Sequence, residues 1–382
     1  MSTVDEWITY GALIAMAATP IWLGSRLALR TSAPREDLSV EDAMWFPVVG
    51  SGVLLGLFLL FKFFAVEYLD VLITVYFTFI SVFALHMSAH ALLIPPRALR
   101  DVPVHAFSYR IPLLMAEPER VSWTAYDLPV LAAALAVTLF YAFTKHWVAN
   151  NIIALAFSVQ GISLIGLQSY KTGCILLGGL FFYDIFLVFG TPVMITVAKS
   201  FNAPIKILFP RDIFADTYEF SLLGLGDIVL PGIFLAMLLR YDSFRAGVNL
   251  PPPEPDDPVA ADALDAAAQR AENRTAEHAE VVTDFPKPFF LFSFASYVLG
   301  LVATIAVMVY FKAGQPALLY LVPACIGSSL LLALVRGEWV QLVQFDGVPG
   351  GDDDGPSARP ASLQKSNATK QSPQKVKKLK SK

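Results

Sequence analysis

Two aspartates stand alone inside long apolar runs, Asp184 in GGLFFYDIFLVFGTPV and Asp227 in LLGLGDIVLPGIFLAMLLR. A carboxylate at bilayer depth costs about 2.5–3.5 kcal/mol on insertion scales, so its retention points to function. Two such groups a few ångströms apart cannot comfortably both ionise, and the pair then holds one shared proton. The ionised member can take a proton from water while the protonated member polarises a peptide carbonyl. The resulting tetrahedral diol collapses with cleavage of the amide, and the scheme needs no metal, cofactor or covalent intermediate. The same pair would also serve as a proton relay in a transporter or channel, and on the residues alone the two readings stand level.

The elements that carry these carboxyls are membrane spans. The chain has 382 residues, of which 55% are hydrophobic, 13% aromatic and only 16% charged, a balance that excludes an ordinary soluble domain. The net charge of −4 is scattered over short loops and a tail, which gives no footprint for nucleic acid. Apolar windows of about twenty residues, the length that crosses the hydrocarbon core, recur nine times. They cover Trp7–Leu27, Met44–Phe64, Val71–Ile94, Asp127–Phe143, Trp147–Leu167, Thr172–Ala198, Phe220–Leu239, Pro288–Phe311 and Pro316–Val335. An odd number of spans separates the termini. With the C-terminus in the cytosol, 22 of the 28 lysines and arginines fall on the cytosolic side, as the positive-inside rule requires. Asp5 and Glu6 precede the first span and no basic residue does, so that span reads as a retained helix with a lumenal N-terminus.

Spans six and seven run antiparallel as consecutive helices. Lys171 lies 13 residues before Asp184 and Arg240 lies 13 after Asp227, which sets both carboxyls about 20 Å from the same charge line. Gly178, Gly179, Gly224 and Gly226 stand close to the aspartates and open the way to a close approach of the two backbones. Residues 1–345 therefore read as one membrane domain. Within it, 247–284 is a Pro-, Ala- and acid-rich cytosolic insertion, and 346–382 is a Gly-, Asp-, Ser- and Lys-rich cytosolic tail, both expected to be disordered.

The motifs Tyr183-Asp184, Gly224-Leu225-Gly226-Asp227 and Gln315-Pro316-Ala317-Leu318 follow one another at the sixth, seventh and ninth spans. In this order they resemble the intramembrane aspartyl proteases, the group that contains presenilin and signal peptide peptidase. The likeness to the signal peptide peptidase branch extends over Asn150 to Asp242 and Gln315 to Gly327. It implies an all-α polytopic protein, a presenilin-like bundle of nine transmembrane helices, with Asp184 and Asp227 as the catalytic pair. It also implies that Gln315, Pro316, Ala317 and Leu318 line the substrate site, with Tyr183, Gly224 and Gly226 in support. The substrates it implies are transmembrane helical peptides, above all remnant signal peptides and single spans of N-in, C-out orientation. The insertion between spans seven and eight disfavours presenilin itself, and the inferred orientation agrees with signal peptide peptidase.

A helical substrate must unwind to expose its carbonyl, and its freed backbone groups then need partners. Strand addition near Pro316 would supply them, although no strand is legible there. Lys378 and Lys380 stand fifth and third from the end, a pattern similar to a dilysine retrieval signal for the endoplasmic reticulum membrane. Surrounding lipid is the one partner that composition demands. A homo-oligomer stays open as a further partner, and docking of degradation machinery on the loop and tail belongs to a third, scaffold reading.

His86 and His90 share one helix face, but Met87 stands where a metalloprotease helix needs glutamate and no third ligand is evident, so no metal is expected. Cys174 and Cys325 fall in apolar spans, where a free thiol behaves as a small hydrophobe.

Overall fold

The computed structural model describes residues 3–30, 36–63, 66–92, 105–109, 119–123, 127–190, 203–210, 219–247, 285–311 and 315–346. The helices among them are α1 (Thr3–Arg30), α2 (Val40–Phe63), α3 (Val66–Leu92), α4 (Asp127–Thr144), α5 (Trp147–Leu164), α6 (Tyr170–Gly190), α7 (Gly226–Arg245), α8 (Pro288–Phe311), α9 (Leu318–Arg336) and the short α10 (Trp339–Val343). Three two-stranded pairs join them. Strand β1 (Glu36–Leu38) runs parallel to β4 (Ile165–Leu167), β2 (His105–Tyr109) antiparallel to β3 (Glu119–Trp123), and β5 (Lys206–Pro210) antiparallel to β6 (Phe220–Gly224).

Among the described residues, seven helical segments are long and apolar enough to cross a membrane, namely Ile8–Leu29, Val40–Leu60, Tyr68–Leu92, Asp127–Thr144, Trp147–Leu164, Pro288–Phe311 and Leu318–Arg336. The protein is thus a mostly helical, polytopic membrane protein. The helices with the two aspartates, α6 and α7, stand outside that set. In α7 the physical reason is plain: Asp227, Arg240, Asp242 and Arg245 all lie within its twenty residues.

Helix α7 is the axis of the fold. Its side chains are buried without interruption from Pro231 to Ser243, the signature of a helix surrounded on every side. It packs on α1, α5, α6, α8 and α9. Glycine makes the closest of these seams. A Cβ at Gly232 would lie 2.5 Å from the Ile162 side chain of α5, and one at Gly173 of α6 would lie 2.7 Å from the Phe234 ring. At the end of α7 the Asp242 carboxylate accepts from the amides of Phe289 (3.3 Å) and Phe290 (2.9 Å), which caps the first turn of α8. By contrast α2 buries little; Trp45, Val49 and Val53 are exposed, as suits side chains that face acyl chains.

The structure revises the expected boundaries in three places. The segment expected to open the seventh span, Phe220–Gly224, is strand β6, and the helix starts only at Gly226. The sequence Gly224-Leu225-Gly226 is poor in helix propensity, and pairing with β5 gives its backbone groups another set of partners. The fifth span ends at Leu164, because Ile165–Leu167 pairs with β1 instead of prolonging α5. Pro316 precedes α9 altogether, with Ala317 at the N-cap and Leu318 as the first helical residue. Of the expected loop (247–284) and tail (346–382), all but Gly247 and Asp346 lie outside the described residues, as do Lys378 and Lys380.

Candidate active site

Asp184 sits on α6 and is buried. Asp227 sits in the first turn of α7, where the unpaired amides at a helix start favour negative charge. The helices that carry the two aspartates, α6 and α7, pack on one another. A third element closes the site. The Leu318 amide at the start of α9 donates to Asp184 Oδ2 at 3.1 Å.

That donor is available for a reason legible in the backbone. The first amides of a helix have no partner within it. The amides of Leu319 and Tyr320 turn back onto the carbonyls of Pro316 and Ala317, and Pro316 has no amide to offer. The Leu318 N–H is left to point outward at the carboxyl of α6. Two helix starts therefore converge on two carboxyls, α9 on Asp184 and α7 on its own Asp227.

The glycine-rich turn between β6 and α7 keeps the approach to Asp227 open. A Cβ at Gly224 would lie 3.5 Å from Asp227 Oδ2, and one at Gly226 would meet only the tip of Leu230. Gly178 and Gly179, expected to let α6 and α7 touch, do something else. Gly178 has open space around its Cβ position, and Gly179 admits Pro47 of α2, whose Cγ would lie 3.0 Å from a Cβ there. The α6–α7 seam is made one turn and more away, at Gly173.

Tyr183 turns from the carboxyl beside it toward α2. Its hydroxyl packs at 3.5 Å from the Cβ position of Gly50, and the adjacent Ser51 Oγ donates to the Pro47 carbonyl at 2.8 Å. Gln315 lies just ahead of the Pro316-Ala317 turn and is partly exposed.

Strand β5 is fastened to α5 by two amide side chains. Asn150 Nδ2 donates to the Lys206 carbonyl at 2.7 Å; Asn151 Nδ2 donates to the Leu208 carbonyl at 2.6 Å, and its Oδ1 accepts from the Leu208 amide at 2.8 Å. Since Lys206 and Leu208 thus turn their polar groups away from β6, their partners Gly224 and Leu222 turn theirs to the opposite edge of the pair. This edge leads directly into Asp227, and Leu222 on it is exposed.

Several contributors were invisible in the linear motifs. Tyr297 of α8 donates its hydroxyl to the Asp227 carbonyl at 3.2 Å. Away from the site, His86 and His90 both reach Asp127 of α4, with Nε2 to Oδ1 distances of 3.5 and 3.4 Å. Asp127 is a side chain that no spacing rule tied to them.

Residues 30–348 match the signal peptide peptidase family. The chain is 38% identical over 357 residues to signal peptide peptidase of Mus musculus, which covers 89% of this chain and 83% of that protein, and the values for the Homo sapiens protein are the same. A probable intramembrane protease of Schizosaccharomyces pombe is 31% identical over 338 residues, covering 88% of this chain and 94% of its own. No solved structure matches. The likeness gives no support to a transporter, and the chain belongs to the signal peptide peptidase family of intramembrane proteases.

Proposed function

We propose that this protease is an aspartic endopeptidase in which Asp184 and Asp227 share one proton and activate water against a peptide carbonyl. The observation that carries this reading is the Leu318 N–H held 3.1 Å from Asp184 Oδ2, with Asp227 in the first turn of the neighbouring helix α7. A single donor on one carboxyl makes the pair unequal, so one member is held as acceptor while the other is left to carry the proton. The outer edge of β6 at Leu222 and Gly224 supplies the backbone partners that an unwound substrate lacks, and so an extended segment laid along these two residues reaches Asp227 by strand addition. Gln315, Pro316, Ala317 and Leu318 bound the same space from the α9 side.

Further readings complete the proposal. Helices α6 and α7 add two spans to the seven already apolar enough, which gives nine, with a lumenal N-terminus and a cytosolic C-terminus from the arginine and lysine bias. The substrates are remnant signal peptides and other N-in, C-out single spans, and the compartment is the endoplasmic reticulum membrane. A hydroxyl-containing peptide isostere that mimics the tetrahedral diol tests the chemistry. It should protect a photo-crosslink to peptides of α6 and α7 in the purified protein and block cleavage of a signal peptide in detergent. Inhibition without protection of either helix would overturn the assignment.

A further inference from the structure

Pro231 stands four residues after Asp227 in α7. In an unbroken helix the amide of residue 231 would donate to the Asp227 carbonyl; proline has no such amide, and its ring presses that carbonyl outward. A carbonyl freed in this way inside a buried helix needs another donor. Tyr297 of α8, fully buried, provides it, with its hydroxyl 3.2 Å from the Asp227 oxygen. The arrangement fixes the main chain of the aspartate from outside its own helix. A tyrosine this deep would otherwise have to leave its hydroxyl unmet, so the two requirements satisfy each other.

We propose that Tyr297 is a positioning residue for the active site: its hydroxyl replaces the hydrogen bond that Pro231 removes from the Asp227 carbonyl, and so sets the tilt of the first turn of α7 and the aim of the Asp227 carboxyl at Asp184. The inference rests on Asp227 being catalytic. At the first turn of α7 the Leu225 amide is held by the Ile205 carbonyl and Ile228 is buried, but the Asp227 side chain stays partly exposed and the Asp227 carbonyl faces Pro231. A carbonyl tethered to α8 therefore governs where the side chain of the same residue points. Proline at 231 thereby hands control of the carboxyl from the helix to its neighbour.

The test pairs two substitutions. Tyr297→Phe removes only the hydroxyl, and Pro231→Ala gives the Asp227 carbonyl back its helical donor. In the purified protein with a signal peptide reporter, Tyr297→Phe should lower kcat by about tenfold with KM little changed, since small misplacements of a reacting group fall on the chemical step. Adding Pro231→Ala to Tyr297→Phe should return kcat to within about twofold of the parent, because the carbonyl again has a donor. A Tyr297→Phe enzyme with parental kcat overturns the proposal. So does a loss that Pro231→Ala fails to restore in protein with parental thermal stability and a parental gel-filtration profile. If Asp227→Asn kept its activity, the catalytic assignment would fall instead, a result distinct from either of these.

Discussion

The amide of Leu318 is the point at which a main-chain atom enters the proposed chemistry. Hydrogen bonds from a neutral donor to a charged acceptor contribute roughly 1.5–3 kcal/mol. Replacing Leu318 by its α-hydroxy acid, which keeps the side chain and turns the amide into an ester, should reduce kcat by about tenfold to a hundredfold while the protein stays folded. Reporter cleavage against thermal unfolding checks this, and an ester variant with parental kcat would contradict it. Asp184 and Asp227 were legible in the sequence because charge in hydrocarbon is costly enough to stand out. Leu318 was legible only as part of a motif, and its amide acquires a role through the Pro316-Ala317 turn, which no side-chain pattern encodes. Tyr297 left a trace that could have been read: a proline four residues beyond a buried aspartate announces a carbonyl in want of a donor.

Secondary-structure elements hold the site through contacts that are polar as well as apolar. The β5–β6 hairpin delivers Asp227, and the side chain of Asn151 anchors it by bonds to both polar groups of Leu208. Asn151→Ala should leave a half-buried amide and carbonyl unmet, lower stability by about 1–2 kcal/mol and slow cleavage. Thermal unfolding in detergent with a parallel rate measurement decides; unchanged values in both would remove the hairpin from the account. A second seam depends on space alone. At Gly24 of α1 a Cβ would lie 2.9 Å from Ile162 Cβ and 3.1 Å from the Val159 carbonyl, neither of which is the loose end of a side chain. Gly24→Ala should therefore cost about 1–3 kcal/mol through overpacking, read as a fall in Tm. Long apolar windows announced the helices, yet the strands at 165–167 and 220–224 escaped because apolar strand and apolar helix look alike over three to five residues. Gly179 misled for a related reason: a small residue marks a close approach without naming the partner, which here is α2, while Gly178 meets nothing within 4 Å.

At the scale of the whole molecule, the central burial of α7 explains how a chain with so many apolar surfaces can carry Arg240 and Asp242 inward. Arg240 is buried against Asp37 at 3.6 Å and the Leu167 carbonyl at 3.4 Å, while Asp242 caps α8 directly. The start of α8 is thus held directly by α7. Excision of residues 252–280 with a short Gly-Ser bridge should leave reporter cleavage within about twofold of the parent. Asp242→Ala, in contrast, should lower stability by about 1–2 kcal/mol through loss of the cap. A deletion that abolished cleavage in folded protein would show that the insertion takes part in the reaction.

The central claim is that two carboxyls form one catalytic unit, and groups that act as a unit lose their effects together. The most direct measurement is the turnover of a signal peptide reporter by the purified parent, Asp184→Asn, Asp227→Asn and the double variant, with folding verified for each. The account predicts that either single change removes nearly all activity, at least about a thousandfold, and that the double variant is no worse than the singles. Activity within a few fold of the parent in either single variant, or losses that multiply in the double, would contradict it.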